Sequence, residues 1–277
     1  MTHKKLICLI TFAILSVAVH DCKAQDNVWR TDTVNYDSIT VQTTLSDSML
    51  AEFKPYVIEL VKKFNIELTY LWNHRDPEVY TQAEWDTLQD QRIKTILKFF
   101  IGDGEPYPSN DTVAYRAYKD DYGNWYYKDS KGKRQYTDKI RKDEHGIWRI
   151  YIFESVMHPA VKMSVSSKTG MKPPQTVRYY LNRIRKNLYK KVVATYGGYE
   201  MADNFRLVEP GHYVGSVSYY QDFQSYIGDN RKGYSDRTYK RMTVHLFFRE
   251  DRGIRRWEPK LGDTQVSVTE NLPENNK

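Results

Sequence analysis

Apolar residues recur every three or four positions from Leu50 to Trp72, which is the spacing of one face of an α-helix. Pro55 either occupies the first turn of this helix or kinks its early part, and Asp76-Pro77 ends it. The stripe consists of Leu50, Phe53, Val57, Leu60, Val61, Phe64, Leu68, Leu71 and Trp72.

A second helix is indicated by Thr81-Gln82-Ala83-Glu84, which has the spacing of a capping box. Gly102-Asp103-Gly104 ends this helix, so the sequence predicts two antiparallel helices with a tight connection. Its apolar stripe is formed by Trp85, Leu88, Ile93, Ile96, Leu97 and Phe100.

After Pro108 the pattern changes to short alternating runs separated by turn residues, which is typical of β-hairpins. One hairpin is predicted to pair residues 113–118 with 125–128, and another to pair 136–141 with 147–153. A further strand is expected at 161–165. The last third predicts strands at 192–196, 213–220, 239–248 and 254–257.

A third helix is predicted near 176–190, where Val177, Leu181, Ile184 and Leu188 follow Pro173-Pro174-Gln175-Thr176. A pair of strands through the same residues stays open as an alternative. Helices first and hairpins afterwards indicate an α+β class. The predicted architecture is an N-terminal helix pair packed on a curved, mainly antiparallel, cone-like sheet.

The first 24 residues have the three parts of a cleavable signal peptide. Lys4 and Lys5 precede an apolar run at 6–19, and cleavage is expected between Ala24 and Gln25. The run is shorter than the roughly 20 residues of a membrane-spanning helix, although an uncleaved anchor is the alternative. Asp21 directly before Cys22 argues against lipid attachment, so the mature chain is expected in the periplasm or on the surface of a bacterium.

The rest of the chain divides into three parts. Residues 25–45 are polar and predict an extended segment, 46–270 form the α+β domain, and 271–277 form a disordered tail. The domain is either one unit or two lobes with a break near 166–174.

Composition refines this expectation. Without residues 1–24 the chain holds 39 Lys and Arg against 34 Asp and Glu, and both cysteines leave with the signal. A modestly basic exported surface is expected to bind an envelope protein or an anionic envelope polymer, and nucleic acid is not expected. The 23 tyrosines, against 10 phenylalanines, suit sheet surfaces and binding faces.

No sequence pattern points to a catalytic residue, a metal or a cofactor. The histidines beyond residue 24 are His74, His145, His158, His212 and His245, and no two have the i, i+4 spacing of a zinc protease. Each is expected to be isolated, with His245 half-buried in an apolar strand. The acidic loops at 102–105 and 120–124 are explained as turns rather than calcium sites, because the ligand spacing of an EF-hand is missing.

The helix pair followed by hairpins resembles nuclear-transport-factor-2-like domains. The residues that carry the likeness are Tyr70-Leu71-Trp72-Asn73, Phe99-Phe100-Ile101-Gly102-Asp103-Gly104 and Gly146-Ile147-Trp148-Arg149-Ile150-Tyr151. The resemblance implies a cone of helices wrapped by a bent sheet. It implies little about function, because members of that fold include enzymes, ligand binders and assembly partners.

These features favour a non-enzymatic binding or assembly protein of the bacterial envelope, such as an accessory of a transfer or secretion system. One alternative is an envelope hydrolase with carboxylates converging in the cone, and another is a small-ligand-binding domain. The expected contact residues lie in an aromatic and basic stretch and are Tyr219, Tyr220, Tyr226, Arg231, Tyr234 and Arg237.

Overall fold

The computed structural model describes residues 33–36, 39–42, 45–73, 75–143, 145–167, 170–186, 189–227, 231–267 and 269–272. The predicted signal peptide with Ala24 and Gln25 therefore lies outside the described residues, as does most of the predicted tail. Of the predicted 25–45 segment, β1 (Thr33–Tyr36) and β2 (Ile39–Gln42) form a two-stranded antiparallel sheet.

Both N-terminal helices are present. Helix α1 (Asp47–Trp72) begins earlier than its apolar stripe because the Ser46 hydroxyl caps it by accepting from the Met49 amide at 3.4 Å. Pro55 consequently lies in the third turn, so its predicted first-turn position is wrong. Helix α2 (Gln82–Leu97) confirms the capping box, since the Thr81 hydroxyl accepts from the Glu84 amide and the Glu84 carboxylate accepts from the Thr81 amide.

The third helix is shorter than predicted. Helix α3 (Val177–Ile184) begins after Thr176, whose hydroxyl accepts from the Tyr179 amide. The helical interpretation is confirmed there, and the strand alternative is wrong for these residues. Pro173 and Pro174 are not the helix entry, because they lie within a strand that ends at Thr176.

Two three-stranded sheets follow α2. One contains β3 (Tyr107–Arg116), β8 (Trp148–His158) and β7 (Ile140–Lys142), in the order β3-β8-β7. The other contains β4 (Tyr118–Lys119), β5 (Trp125–Lys128) and β6 (Arg134–Tyr136), in the order β4-β5-β6.

This pairing corrects the predicted hairpins. Residues 113–116 pair with β8 rather than with 125–128, so only Tyr118 and Lys119 pair with β5. Tyr136 pairs with β5 and not with β8. The predicted pairing of the second hairpin is confirmed for 140–142 with 148–150.

The large sheet has six strands in the order β10-β9-β14-β13-β12-β11. All neighbours are antiparallel except β14 and β9. The predicted strands were right in place but too short. The strands are β9 (Lys162–Ser167), β10 (Gly170–Thr176), β11 (Lys191–Glu209), β12 (His212–Ile227), β13 (Arg231–Asp251) and β14 (Ile254–Val266).

The main core lies between α1 and the large sheet. The ring of Phe53 lies 4.9 Å from that of Phe205 on β11 and 5.2 Å from that of Trp257 on β14. Glu67 of α1 and Arg92 of α2 lie 3.8 Å apart and connect the two helices. The α+β class with mainly antiparallel sheets is therefore confirmed, whereas the cone-like arrangement remains a prediction. Within the described residues, no helix combines the length and apolarity needed to cross a membrane.

Candidate functional site

On strands β12 and β13, the face of the large sheet that packs on the core changes along its length from apolar to polar side chains. Side chains alternate between the two faces of a strand, so every second residue shares a face. On β13 this face includes Leu246, Val244 and Met242, which are fully buried. The same face continues with Lys240, Thr238 and Asp236, each at least nine-tenths buried. The core pattern therefore ends in a buried polar row.

Opposite this row, β12 supplies three side chains in antiparallel register. Tyr219 pairs with Lys240, Gln221 with Thr238, and Phe223 with Asp236. The ring of Trp72, at the end of α1, packs edge-on against Phe223 at a centroid distance of 5.1 Å. The sheet, α1 and α3 thus approach one another at one end of the core.

A cavity of about 290 Å³ lies at this position. Small-molecule sites in proteins have volumes from about 300 Å³ upward, so this cavity suits a small compound. The walls combine aromatic rings with hydroxyl, amide and charged groups, as is usual for such sites. Its lining is Trp72, Ser164, Val165, Ser166, Tyr180, Arg183, Ile184, Tyr189, Gln221, Phe223, Tyr234, Asp236, Thr238, Lys240 and Val266.

Lys240 is the unusual member of the lining. Its side chain is only 8% exposed, although transferring an ammonium group from water is unfavourable unless the charge is paired. Within the described part of the chain it makes no side-chain hydrogen bond or ion pair, and its electrostatic partner is Asp236. Burial lowers the pKa of Lys240 to about 8, and the attraction of Asp236 offsets this only in part. Lys240 therefore remains mainly a cation at pH 7.

The neighbouring tyrosines present neutral hydroxyl groups. Burial raises the pKa of Tyr180, which lines the cavity, to about 12, and raises the pKa of Tyr219 well above its usual value. Behind them, the Tyr196 hydroxyl lies 3.1 Å from the Thr69 hydroxyl, and Tyr199 accepts from Asn65 at 3.2 Å. The Lys240 ammonium and the neutral hydroxyl groups near it can all donate hydrogen bonds, which suits a ligand with acceptor oxygens.

The six contact residues expected from sequence do not come together. Tyr219 and Tyr234 lie on the core face, and Tyr234 lines the cavity. Tyr220 and Arg237 lie on the opposite face, where the Arg237 guanidinium lies 4.4 Å from the centroid of Tyr220 and donates to both carboxylate oxygens of Asp222. Neighbouring strand residues point to opposite faces, so a run of six aromatic and basic residues divides between them. The two others are Tyr226, which has Lys191 over its ring, and the exposed Arg231.

The expectation that each histidine is isolated is wrong for three of them. His212 Nε2 lies 3.0 Å from His245 Nδ1, and His158 Nε2 lies 2.8 Å from an oxygen of Asp111. His212 Nδ1 also lies 3.3 Å from the carboxylate of Glu209. His212 and His245 meet because β12 pairs with β13, and His158 and Asp111 meet because β8 pairs with β3. In the described part of the chain, no group of three or more His, Cys, Asp or Glu side chains has an arrangement that could hold a metal ion.

Sequence reasoning missed Lys240, although a signal was present. The period-two pattern of Leu246, Val244 and Met242 places Lys240 on the core face when it is extended by one step. A lysine at an apolar position of a long strand is a candidate binding group, because buried charges require a partner.

Comparisons of this chain with protein-family models, with curated proteins and with solved structures gave no match. The geometry of the site is therefore what bears on the function of this protein.

Proposed function

We propose that the protein is a non-enzymatic binding protein of the bacterial envelope that holds a small anionic compound in the cavity beside Lys240. The observation that carries the proposal is a buried ammonium group that lines a cavity and lacks a hydrogen-bonded partner among the described residues. A carboxylate or phosphate in the cavity supplies that partner, and a charge-assisted hydrogen bond is among the stronger polar interactions.

The shape and lining of the cavity support the rest of the assignment. Trp72, Tyr180 and Phe223 provide apolar surface for a planar or aliphatic body, while Gln221 and Thr238 provide polar contacts. Among the described residues that line the cavity, Asp236 is the one carboxylate and there is no histidine, so this lining does not favour the hydrolase alternative. The envelope location follows from the predicted signal peptide and is part of the proposal.

The test uses isothermal titration calorimetry and thermal denaturation with three probes: benzoate, citrate and inorganic phosphate. We expect at least one probe to bind the mature protein, and we expect Lys240→Met to weaken its binding at least tenfold. The matched control is Lys54→Met, which removes an exposed lysine on α1. Binding that is equally strong in Lys240→Met, or no binding of any probe, would contradict the proposal.

A further inference from the structure

Three hairpin turns between β4 and β8 have the same internal structure. In each, an aspartate is followed three residues later by a glycine, and the pairs are Asp120 with Gly123, Asp129 with Gly132, and Asp143 with Gly146. The glycines have φ of 84°, 76° and 73°, a conformation that other residues adopt rarely. Each aspartate Oδ1 accepts from the amides two and four residues later, at 2.8–3.0 Å.

In these turns the acidic side chains accept hydrogen bonds from the backbone of the same turn, whereas most basic side chains of the segment face solvent. Residues 116–149 contain ten Lys and Arg against six Asp and Glu. Three of the six acids are the turn aspartates, whose carboxylates are occupied by backbone amides. Hydrogen bonds from Gln135 and Arg149 respectively are the main reason that the pKa values of Asp129 and Asp143 are lowered. The outward surface of the segment is therefore cationic.

One face of the β4-β5-β6 sheet carries a row of three tyrosines. Tyr118 pairs with Tyr126 across β4 and β5, and Tyr126 pairs with Tyr136 across β5 and β6. Their ring centroids are 5.6 and 5.8 Å apart, and these three residues are called the tyrosine ladder. Tyr118 is 40% exposed and Tyr136 is 57% exposed, so the two outer rings are open to solvent.

Basic groups lie directly over the ladder. The guanidinium of Arg134 is 4.9 Å from the centroid of Tyr126, and that of Arg116 is 5.9 Å from the centroid of Tyr118. The other face of the same sheet is packed, since the ring of Tyr127 lies 4.7 Å from that of Tyr115 on β3. The ladder is thus the outward face of a fixed sheet, with cations already held against its rings.

A groove of about 680 Å³ adjoins the ladder at Tyr136. Its lining includes hydrogen-bond acceptors, among them the Thr137 hydroxyl and the Asp138 carboxylate. Carboxylates accept hydrogen bonds from sugar hydroxyls, which a polysaccharide presents on every ring and a DNA backbone does not. The apolar C–H face of a sugar ring also packs on an exposed aromatic ring, and acidic groups along a glycan complement Arg116 and Arg134.

We propose that the tyrosine ladder and the adjoining groove bind an acidic polysaccharide, with sugar rings on Tyr118 and Tyr136 and carboxylates beside Arg116 and Arg134. The combination of exposed rings, cations and hydroxyl acceptors favours a carboxylated glycan over a nucleic acid. No residue of the ladder lines the cavity at Lys240, so this second site is independent of the function proposed above.

The test measures binding of the mature protein to immobilised polygalacturonate by biolayer interferometry. A neutral glucan and a single-stranded oligothymidylate are the comparison surfaces. We expect binding to polygalacturonate that weakens as salt is added, because the charge contacts are exposed to solvent. We expect weaker binding to the neutral glucan and to the oligonucleotide. Binding to the oligonucleotide as tight as to polygalacturonate, or no binding to polygalacturonate, overturns the proposal.

Variants locate the site on the ladder. Tyr118→Ala combined with Tyr136→Ala is expected to weaken polygalacturonate binding at least tenfold. Arg134→Gln leaves the rings in place and is expected to weaken binding several-fold, which keeps the test decisive if the double variant does not fold. Tyr56→Ala on α1, where the tyrosine is 60% exposed, is the matched control and should bind as the parent does.

The assignment is overturned if the Tyr118→Ala/Tyr136→Ala double variant and Arg134→Gln both bind polygalacturonate as the parent does. It is also overturned if Tyr56→Ala loses as much binding as they do. Lys240→Met should retain polygalacturonate binding even where it loses small anions, and loss of both in that variant also overturns it. If the polysaccharide proposal for the tyrosine ladder fails, the cavity proposal is unaffected, because binding at the two sites is measured with different probes.

Discussion

The Nε2 atom of His212 lies 3.0 Å from the Nδ1 atom of His245, at a position where both rings are largely withdrawn from water. Burial lowers the pKa of His212 to about 4, and burial together with the neighbouring His212 and His158 lowers the pKa of His245 to about 3. Both rings are therefore neutral at pH 7, and one can donate to the other. The acidic groups that face the pair are Asp111 and Glu209.

This pair predicts acid sensitivity of the fold. Below pH about 6.5 the unfolded chain binds protons on these histidines, whereas the folded chain does not until the pH falls to about 4 or 3. Stability should thus be lost as the pH falls from 7.5 to 5.5, by about 1 kcal/mol per histidine. Urea denaturation at several pH values between 7.5 and 5.5 measures this slope.

His245→Gln should reduce that slope, and His145→Gln, which changes an exposed turn residue, should leave it unchanged. Burial raises the pKa of Glu209, which acts in the opposite direction as the pH falls, so the difference between variants isolates the histidine contribution. Equal slopes in the parent and in His245→Gln would show that the pair is not responsible.

Anion binding in the cavity should depend on pH through Lys240. Because burial lowers the pKa of Lys240 to about 8, the ammonium is charged at pH 7 and mostly neutral at pH 9.5. The affinity for the tightest-binding probe among benzoate, citrate and phosphate should fall several-fold between these values. Calorimetric titrations at both pH values test this, and Lys240→Met should show weak binding with little pH dependence. An affinity that rises with pH would contradict the assigned role.

Gly215 on β12 makes room for Phe205 on β11. A Cβ atom at Gly215 would lie 2.6 Å from the Phe205 ring, which is itself fully buried. Gly215→Ala should therefore lower the free energy of unfolding by about 1–3 kcal/mol, since overpacking forces side chains from their preferred rotamers. Combining it with Phe205→Leu should cost less than the sum of the two single changes. Simple additivity in the denaturation data would exclude a steric cause.

The capping box of α2 should contribute measurably to stability. Thr81→Ala removes the acceptor of the Glu84 amide and should lower the free energy of unfolding by about 1 kcal/mol. Thr87→Ala is the matched control, because the Thr87 hydroxyl donates to the Ala83 carbonyl within the helix, a bond that does not stabilise helices. Similar losses in both variants would indicate that the cap itself is unimportant.

Local signals were sufficient for the helices and insufficient for the sites. Thr81 and Glu84 are three residues apart, so the start of α2 could be predicted from sequence. The pairing of 113–116 with β8 could not, because the register depends on residues more than thirty positions away. For the same reason His212 and His245 were predicted to be separate. Lys240 was predictable in principle from the alternation of β13, but the absence of a hydrogen-bonded partner for its ammonium group among the described residues was not.

Strands β11 to β14 follow one another in sequence and pair as successive neighbours, yet helix α1, which covers them, precedes them by more than a hundred residues in the chain. Phe53 of α1 packs against Trp257, which lies about two hundred residues later in the chain, so this contact can form only after β14 is available. If the chain is exported as proposed, it emerges from a translocation channel N-terminus first and exposes the apolar stripe of α1 until nearly the whole domain has crossed. The proposed export should consequently be sensitive to truncation at the C-terminal end of the domain and dependent on factors that shield exposed helices.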